Sequence, residues 1–116
     1  MSESELPIFE AFLRVEWRVA TILSAKENEA ARKPAFVLDL DFGPDLGTRT
    51  SSAQLTENYE AQALVGRQVV CVFNLPPRRV AGVKSEVLVL AAVDEGGEGT
   101  VLLDLERPVP NGTRIA

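Results

Sequence analysis

Ala53-Gln54-Leu55-Thr56-Glu57-Asn58-Tyr59-Glu60-Ala61-Gln62-Ala63-Leu64 runs through Val65-Gly66 into Arg67-Gln68-Val69-Val70-Cys71-Val72-Phe73, and the pattern changes character along the way. Ala53, Leu55, Ala61, Ala63 and Leu64, with Thr56 as an N-cap ahead of Glu57, predict a short helix that Gly66 ends. Val69 to Phe73 is short, valine-rich and apolar throughout, the pattern of a strand buried on both faces. A single short helix feeding a buried strand makes the segments on either side decisive.

Upstream there are three strand patterns. Val15, Trp17, Val19, Thr21 and Leu23 alternate with Glu16, Arg18 and Ala20. Phe36, Leu38, Leu40 and Phe42 alternate with Val37, Asp39 and Asp41, and the turn Gly43-Pro44-Asp45-Leu46-Gly47 leads into a third strand near 47–52. Downstream, Val87 to Val93 reads as one more buried strand. The tail adds Thr100 to Leu105 and Thr113-Arg114-Ile115 around Pro108, Pro110 and an Asn111-Gly112 turn. Pro7 precedes Ile8, Phe9, Phe12 and Leu13, which share one helical face. Three strands, a helix and two strands predict an all-β chain. It is a five-stranded OB-fold barrel with a short helix between strands 3 and 4, plus an N-terminal helix (1–14) and a C-terminal strand extension (94–116). No repeat or linker divides residues 1–116, so a single domain is expected.

The 116 residues are 46% hydrophobic and 25% charged, within the globular range. There is no histidine and Cys71 is alone, which excludes internal disulfides, Cys-rich zinc sites and nucleophile pairs that need an imidazole. A serine nucleophile at Ser51 or Ser52 would need a deprotonated Lys33 or Lys84 beside it. Asp39 and Asp41 share a strand face that could hold Mg²⁺ or simply be solvated. No catalytic residue, metal site or cofactor is expected. The acidic opening Met1 to Glu5 lacks the pattern of a secretory leader, and no apolar run is long enough to cross a bilayer, so a cytoplasmic protein without membrane insertion is expected.

The net charge of −5 argues against indiscriminate binding of polyanions, but the charges are unevenly placed. From Arg67 to Lys84 there are four basic residues, Arg67, Arg78, Arg79 and Lys84, and no acidic one. In an OB barrel the loops joining strands 1–2 and 4–5 flank the ligand face. Here those loops are roughly 25–35, with Arg32 and Lys33, and 74–86, with Arg78, Arg79 and Lys84. The fold assignment did not use those charges, so their convergence favours RNA binding. Pro76 and Pro77 stiffen the second loop, and arginine forks suit phosphate oxygens. Asn74, Ser85 and Glu86 can contact base edges or their own backbone, Glu86 accepting from the amino group of cytosine or guanine. Ser51, Ser52 and Gln54 would present hydroxyls and an amide to the same groove. Phe36 and Phe42 could be a stacking platform or core, and with so few candidates, shape and phosphate recognition of structured RNA fits best.

Several spaced motifs then add a resemblance: Trp17-Arg18-Val19, Pro34, Asp41-Phe42-Gly43, Ser51-Ser52-Ala53-Gln54, Leu64-Val65-Gly66-Arg67, and Asn74-Leu75-Pro76-Pro77-Arg78-Arg79 with Gly82 and Ser85-Glu86. From about Val15 to Ile115 the chain resembles the tRNA-binding domain family, found as stand-alone dimers and as appended domains of some aminoacyl-tRNA synthetases. Val87-Leu88 and the closing Val109-Pro110-Asn111-Gly112-Thr113 are most similar to its small stand-alone branch. Ala20 stands where many relatives carry glycine. The resemblance implies an OB fold, a two-fold homodimer and a tRNA groove onto which Asn74, Arg78, Arg79, Ser85 and Glu86 map. It also implies an export-related chaperone role, with unfolded preproteins and the translocation motor SecA as partners. A groove holding extended polypeptide is therefore the competing reading. Independently, the apolar surplus at both chain ends predicts a homodimer.

Overall fold

The computed structural model describes residues 6–116. Strand β1 (Trp17–Glu27) is long enough to serve two neighbours. Its first half pairs antiparallel with β4 (Gln68–Val72), from Trp17↔Val72 to Thr21↔Gln68. Its second half pairs with β2 (Phe36–Asp41), from Thr21↔Asp41 to Glu27↔Phe36. The register shifts between Ile22 and Ser24, a bulge that bends and twists the strand and so curls the sheet. β3 (Thr48–Ala53) adds to β2 and β7 (Leu88–Val89) adds to β4, giving the order β3-β2-β1-β4-β7. The outer strands then meet again. Ser51 Oγ donates to the Val87 carbonyl at 2.9 Å, and the Glu86 N–H donates to the Thr50 carbonyl at 2.7 Å. With α2 (Ala61–Leu64) between β3 and β4, this is the expected OB barrel, nearly closed and all-β.

The barrel is filled by alternate residues of each strand. Leu38 and Leu40 are buried while Asp39 between them is exposed, and Ile22, Phe42, Leu64 and Val69 join them. Phe36 and Phe42 belong to this core, Phe42 packing edge-on against Phe73 at 4.8 Å, so neither is a stacking platform. Burial pushes the Cys71 thiol up to about 12, which keeps it protonated and unreactive near neutral pH.

Three expectations need correction. The helix between β3 and β4 spans four residues and starts after Glu60, with no side-chain cap. Thr56 does not cap it, because the polar residues ahead of the helix face a different element. Asn58 Nδ2 donates to the carbonyls of Glu98 and Thr100, and Tyr59 Oη accepts from the Leu102 N–H at 3.0 Å. The strand expected over 87–93 divides. β7 stays in the barrel, and β8 (Ala91–Asp94) leaves it to form a hairpin with β9 (Gly99–Leu102), where Val93 is 66% exposed. Unbroken hydrophobicity marks extended chain but not the partner to which each half pairs. Finally, the 74–86 connection is a structured hairpin, described below.

The C-terminal extension is sewn to its own barrel. β10 (Arg114–Ile115) pairs with Trp17 and Arg18. Ahead of it Gly112, at φ +89°, donates its N–H to the Val19 carbonyl, and a Cβ there would lie 2.5 Å from the Phe42 carbonyl oxygen. Only glycine fits such a turn. Asn111 Oδ1 accepts from Thr21 Oγ1 and Gln68 Nε2, fixing the turn against β1 and β4. The N-terminal helix α1 runs Leu6–Arg14; the first residues of the helix expected over 1–14, and the acidic opening, lie outside the described residues. Among the described residues no helix is long and apolar enough to cross a membrane.

Candidate nucleic-acid interface

Between β4 and β7 the chain forms a short hairpin of β5 (Arg78–Val80) and β6 (Val83–Ser85), paired Arg78↔Ser85, Arg79↔Lys84 and Val80↔Val83. Its two turn residues, Ala81 (φ 46°) and Gly82 (φ 83°), are both left-handed, as a two-residue turn matched to the strand twist requires. Three bonds clamp the hairpin base to the barrel. Ser85 Oγ accepts from the Ser52 N–H at 3.0 Å, Glu86 Oε1 accepts from the Thr50 N–H at 3.1 Å, and the Glu86 N–H reaches the Thr50 carbonyl. At the tip, Asn28 Nδ2 donates to the Ala81 carbonyl at 3.4 Å. The connection carrying Arg32 and Lys33 therefore abuts the hairpin carrying Arg78, Arg79 and Lys84.

Alternation along two short strands sorts the charges. Arg78, Val80 and Ser85 face inward and line a cleft of about 460 Å³ together with Ser52, Gln54, Glu86 and the apolar Leu75, Pro76, Val87 and Leu88. Arg79 and Lys84 point the other way, directly across from each other and exposed. Like charges in that position repel and destabilise a hairpin unless an anion lies between or above them. No carboxylate pairs with either one among the described residues, and the Arg79 guanidinium makes a single long contact, 3.4 Å to the Gly82 carbonyl. Arg32 lines a separate hollow of about 290 Å³ with Asn28, Pro34 and Thr56, so the basic groups span one end of the barrel without entering one pocket.

Two of the candidate residues have structural duties. Ser51 is wholly buried and spends its hydroxyl on Val87, which removes it from the groove and from nucleophilic chemistry. Asn74 accepts from the Glu16 N–H at 2.9 Å and donates to the Arg14 carbonyl at 2.7 Å, holding the α1–β1 junction. Reading a base would break both bonds. Asn74→Ala should therefore cost about 1 kcal/mol of stability in urea unfolding and leave preferences among RNA ligands unaltered. Asp39 accepts from Ser24 and Thr50 hydroxyls, and Asp41 from the Gly43 N–H, so their strand is a hydrogen-bonded surface. The sequence analysis overlooked the apolar walls Leu75, Val80, Val87 and Leu88. Leu75 and Leu88, exposed leucines on either side of the basic run, were the available signal.

Residues 17–114 match the family described as "Putative tRNA binding domain". The chain belongs to the tRNA-binding domain family. Among curated relatives it is 34% identical over 102 residues to the methionine–tRNA ligase of Porphyromonas gingivalis, covering 88% of this chain and 15% of that enzyme. It spans about 15% of the length of such relatives. Two solved structures match nearly end to end. The chaperone CsaA of Bacillus anthracis shares 50% identity at a TM-score of 0.87, covering 93% of this chain and 96% of that one. The CsaA chaperone protein of Picrophilus torridus shares 37% at 0.86, covering 93% and 97%. The tRNA-binding domain thus occurs both inside a synthetase and as a near-complete small chain of this size.

Proposed function

We propose that this chain is a CsaA-type, non-catalytic, cytoplasmic RNA-binding protein whose hairpin β5–β6, with the β3 face and the Arg32–Lys33 connection, holds tRNA or a tRNA-like fold. The observation that carries the reading is the opposed, unpaired Arg79–Lys84 couple on a hairpin whose inner face adds Arg78. Such a couple fits a phosphate backbone, whose oxygens relieve its repulsion. The overall negative charge keeps binding from becoming indiscriminate, while a local patch acts over a Debye length of about 8 Å. Ser52, Gln54, Arg78, Ser85 and Glu86 face the ligand in the cleft, and Arg32, Lys33, Arg79 and Lys84 lie around it.

The apolar walls of the cleft, and the chaperones among the structural neighbours, favour a second reading: capture of unfolded preproteins, with SecA as a further partner. Salt separates the two. Binding of unfractionated tRNA should weaken at least tenfold as salt rises from about 0.05 to 0.2 M, because released counterions drive it, whereas apolar capture of a reduced, unfolded polypeptide should not weaken. Salt-insensitive or absent tRNA binding, with firm polypeptide binding, would replace the first reading by the second.

The protein acts as a homodimer in this proposal. Phe12, Trp17, Leu90, Leu103, Leu105 and Ile115 border one apolar hollow of about 470 Å³, so the surplus of both chain ends lies on one surface. Ile8 (73%) and Leu13 (55%) on α1 add further exposed area. A second copy would cover this surface in an isologous contact.

A further inference from the structure

We propose that the cleft beneath the β5–β6 hairpin holds one unstacked guanine base of the bound RNA. The proposal rests on the RNA-binding reading above and adds which nucleotide this site takes.

The walls suit a flat apolar ring. Leu75, Pro76, Val80 and Leu88 border the space, whose volume of about 460 Å³ accommodates a single nucleoside. Bases lifted from a stack are held between such side chains and read along their polar edges. The polar groups in the cleft define which edge. Arg78 has donors only, and no acceptor in the chain engages it among the described residues. Glu86 has acceptors only; Oε1 takes the Thr50 N–H, which leaves Oε2 and the second lone pair of Oε1. The two opposite charges border one cleft without forming an ion pair, so each is available to an occupant placed between them.

An occupant that satisfies both must offer adjacent donors to the carboxylate and adjacent acceptors to the guanidinium. Guanine does so, with N1–H and the N2 amino group on one edge and O6 and N7 on the next. Adenine and cytosine each present one amino group flanked by acceptors, and uracil one N–H between two carbonyls, so each leaves part of Glu86 or Arg78 unmatched. Arg79 and Lys84, on the outer face of the same hairpin, remain for phosphates.

The test uses uridine nonamers whose central residue is guanosine, adenosine, cytidine or uridine, titrated by fluorescence anisotropy beside unfractionated tRNA. The intact protein should bind the guanosine oligonucleotide roughly tenfold more tightly than the other three. In Glu86→Gln the amide oxygen still accepts the Thr50 N–H, so the hairpin stays clamped, but an NH₂ now faces the guanine donors. The advantage should then vanish while the salt dependence of tRNA binding is kept. Arg78→Lys should likewise lose most of the advantage, because a point charge cannot bond O6 and N7 together. Equal binding of the four oligonucleotides, a preference for another base, or an undiminished advantage in Glu86→Gln would overturn the guanine pocket while leaving tRNA binding in place. Failure of the intact protein to bind tRNA would overturn the RNA reading and the pocket with it.

Discussion

Arg78→Ala combined with Arg79→Ala is expected to weaken tRNA binding between about tenfold and a hundredfold near 0.1 M salt, and to lower the slope of log K against log salt by close to two. Each phosphate neutralised on a duplex contributes roughly 0.9 to that slope, so two lost contacts set the size of the change. Both side chains are exposed and neither has a carboxylate partner among the described residues, so stability should move by less than about 0.5 kcal/mol and the loss is attributable to the interface. The single changes should differ in kind. Arg79→Ala, on the outward face, should lower affinity evenly across RNA sequences. Arg78→Ala, on the cleft face, should also alter preference among them. Isothermal titration or filter binding over a salt series measures both quantities. An unchanged slope and affinity in the double variant would remove the hairpin from the interface.

The barrel was legible because its signals are periodic and local. Phe36, Leu38, Leu40 and Phe42 alternate with Val37, Asp39 and Asp41, and a strand with one face buried has to show this period. The run Val69–Phe73 and the break at Gly66 were equally plain. What the sequence hid was pairing. Val87 to Val93 carries one unbroken pattern, yet Val89 lies opposite Cys71 while Ala91 lies opposite Leu102. Hydrophobicity records burial in some sheet and is silent on which. The helix boundary failed for a related reason, since Asn58 and Tyr59 are spent on a hairpin forty residues downstream.

At the site, residue types and their convergence were legible, but the direction of each side chain was not. Arg78 and Arg79 read as a single basic patch, although consecutive strand residues face opposite ways and the hairpin sends one to the cleft and the other outward. Taken as a flexible loop, the segment gave no period to apply. Asn74 and Ser51 are chemically suited to a ligand, and only coordinates show that Glu16, Arg14 and Val87 already occupy them. Asn28, which joins the two basic connections at Ala81, had no distinguishing mark in the chain.

The apolar surface on the other side of β1 leads to the second large effect: Phe12→Glu with Leu103→Glu should convert a dimer into a monomer at micromolar concentration, read by size exclusion with light scattering. Phe12 is 49% exposed and Leu103 42%, so each already meets water within one subunit, and replacing them should cost the isolated barrel little. Phe12 lies 5.8 Å from Trp17 between ring centroids, and Ile115 pairs with Trp17. Helix α1 and β10 are thereby fixed as one rigid platform, and a partner need not order them on binding, which lowers the cost of association. Placing four carboxylates in an isologous interface, two from each subunit, would desolvate like charges against each other, a penalty larger than a surface of this size can offset. Far-ultraviolet circular dichroism should stay that of the parent barrel. A parent protein that is already monomeric, or a double variant that remains dimeric, would show that this face is not where two copies meet. A monomer that binds tRNA with the parent's salt slope but lower apparent affinity would place the hairpins of both subunits on one RNA, joined by avidity alone.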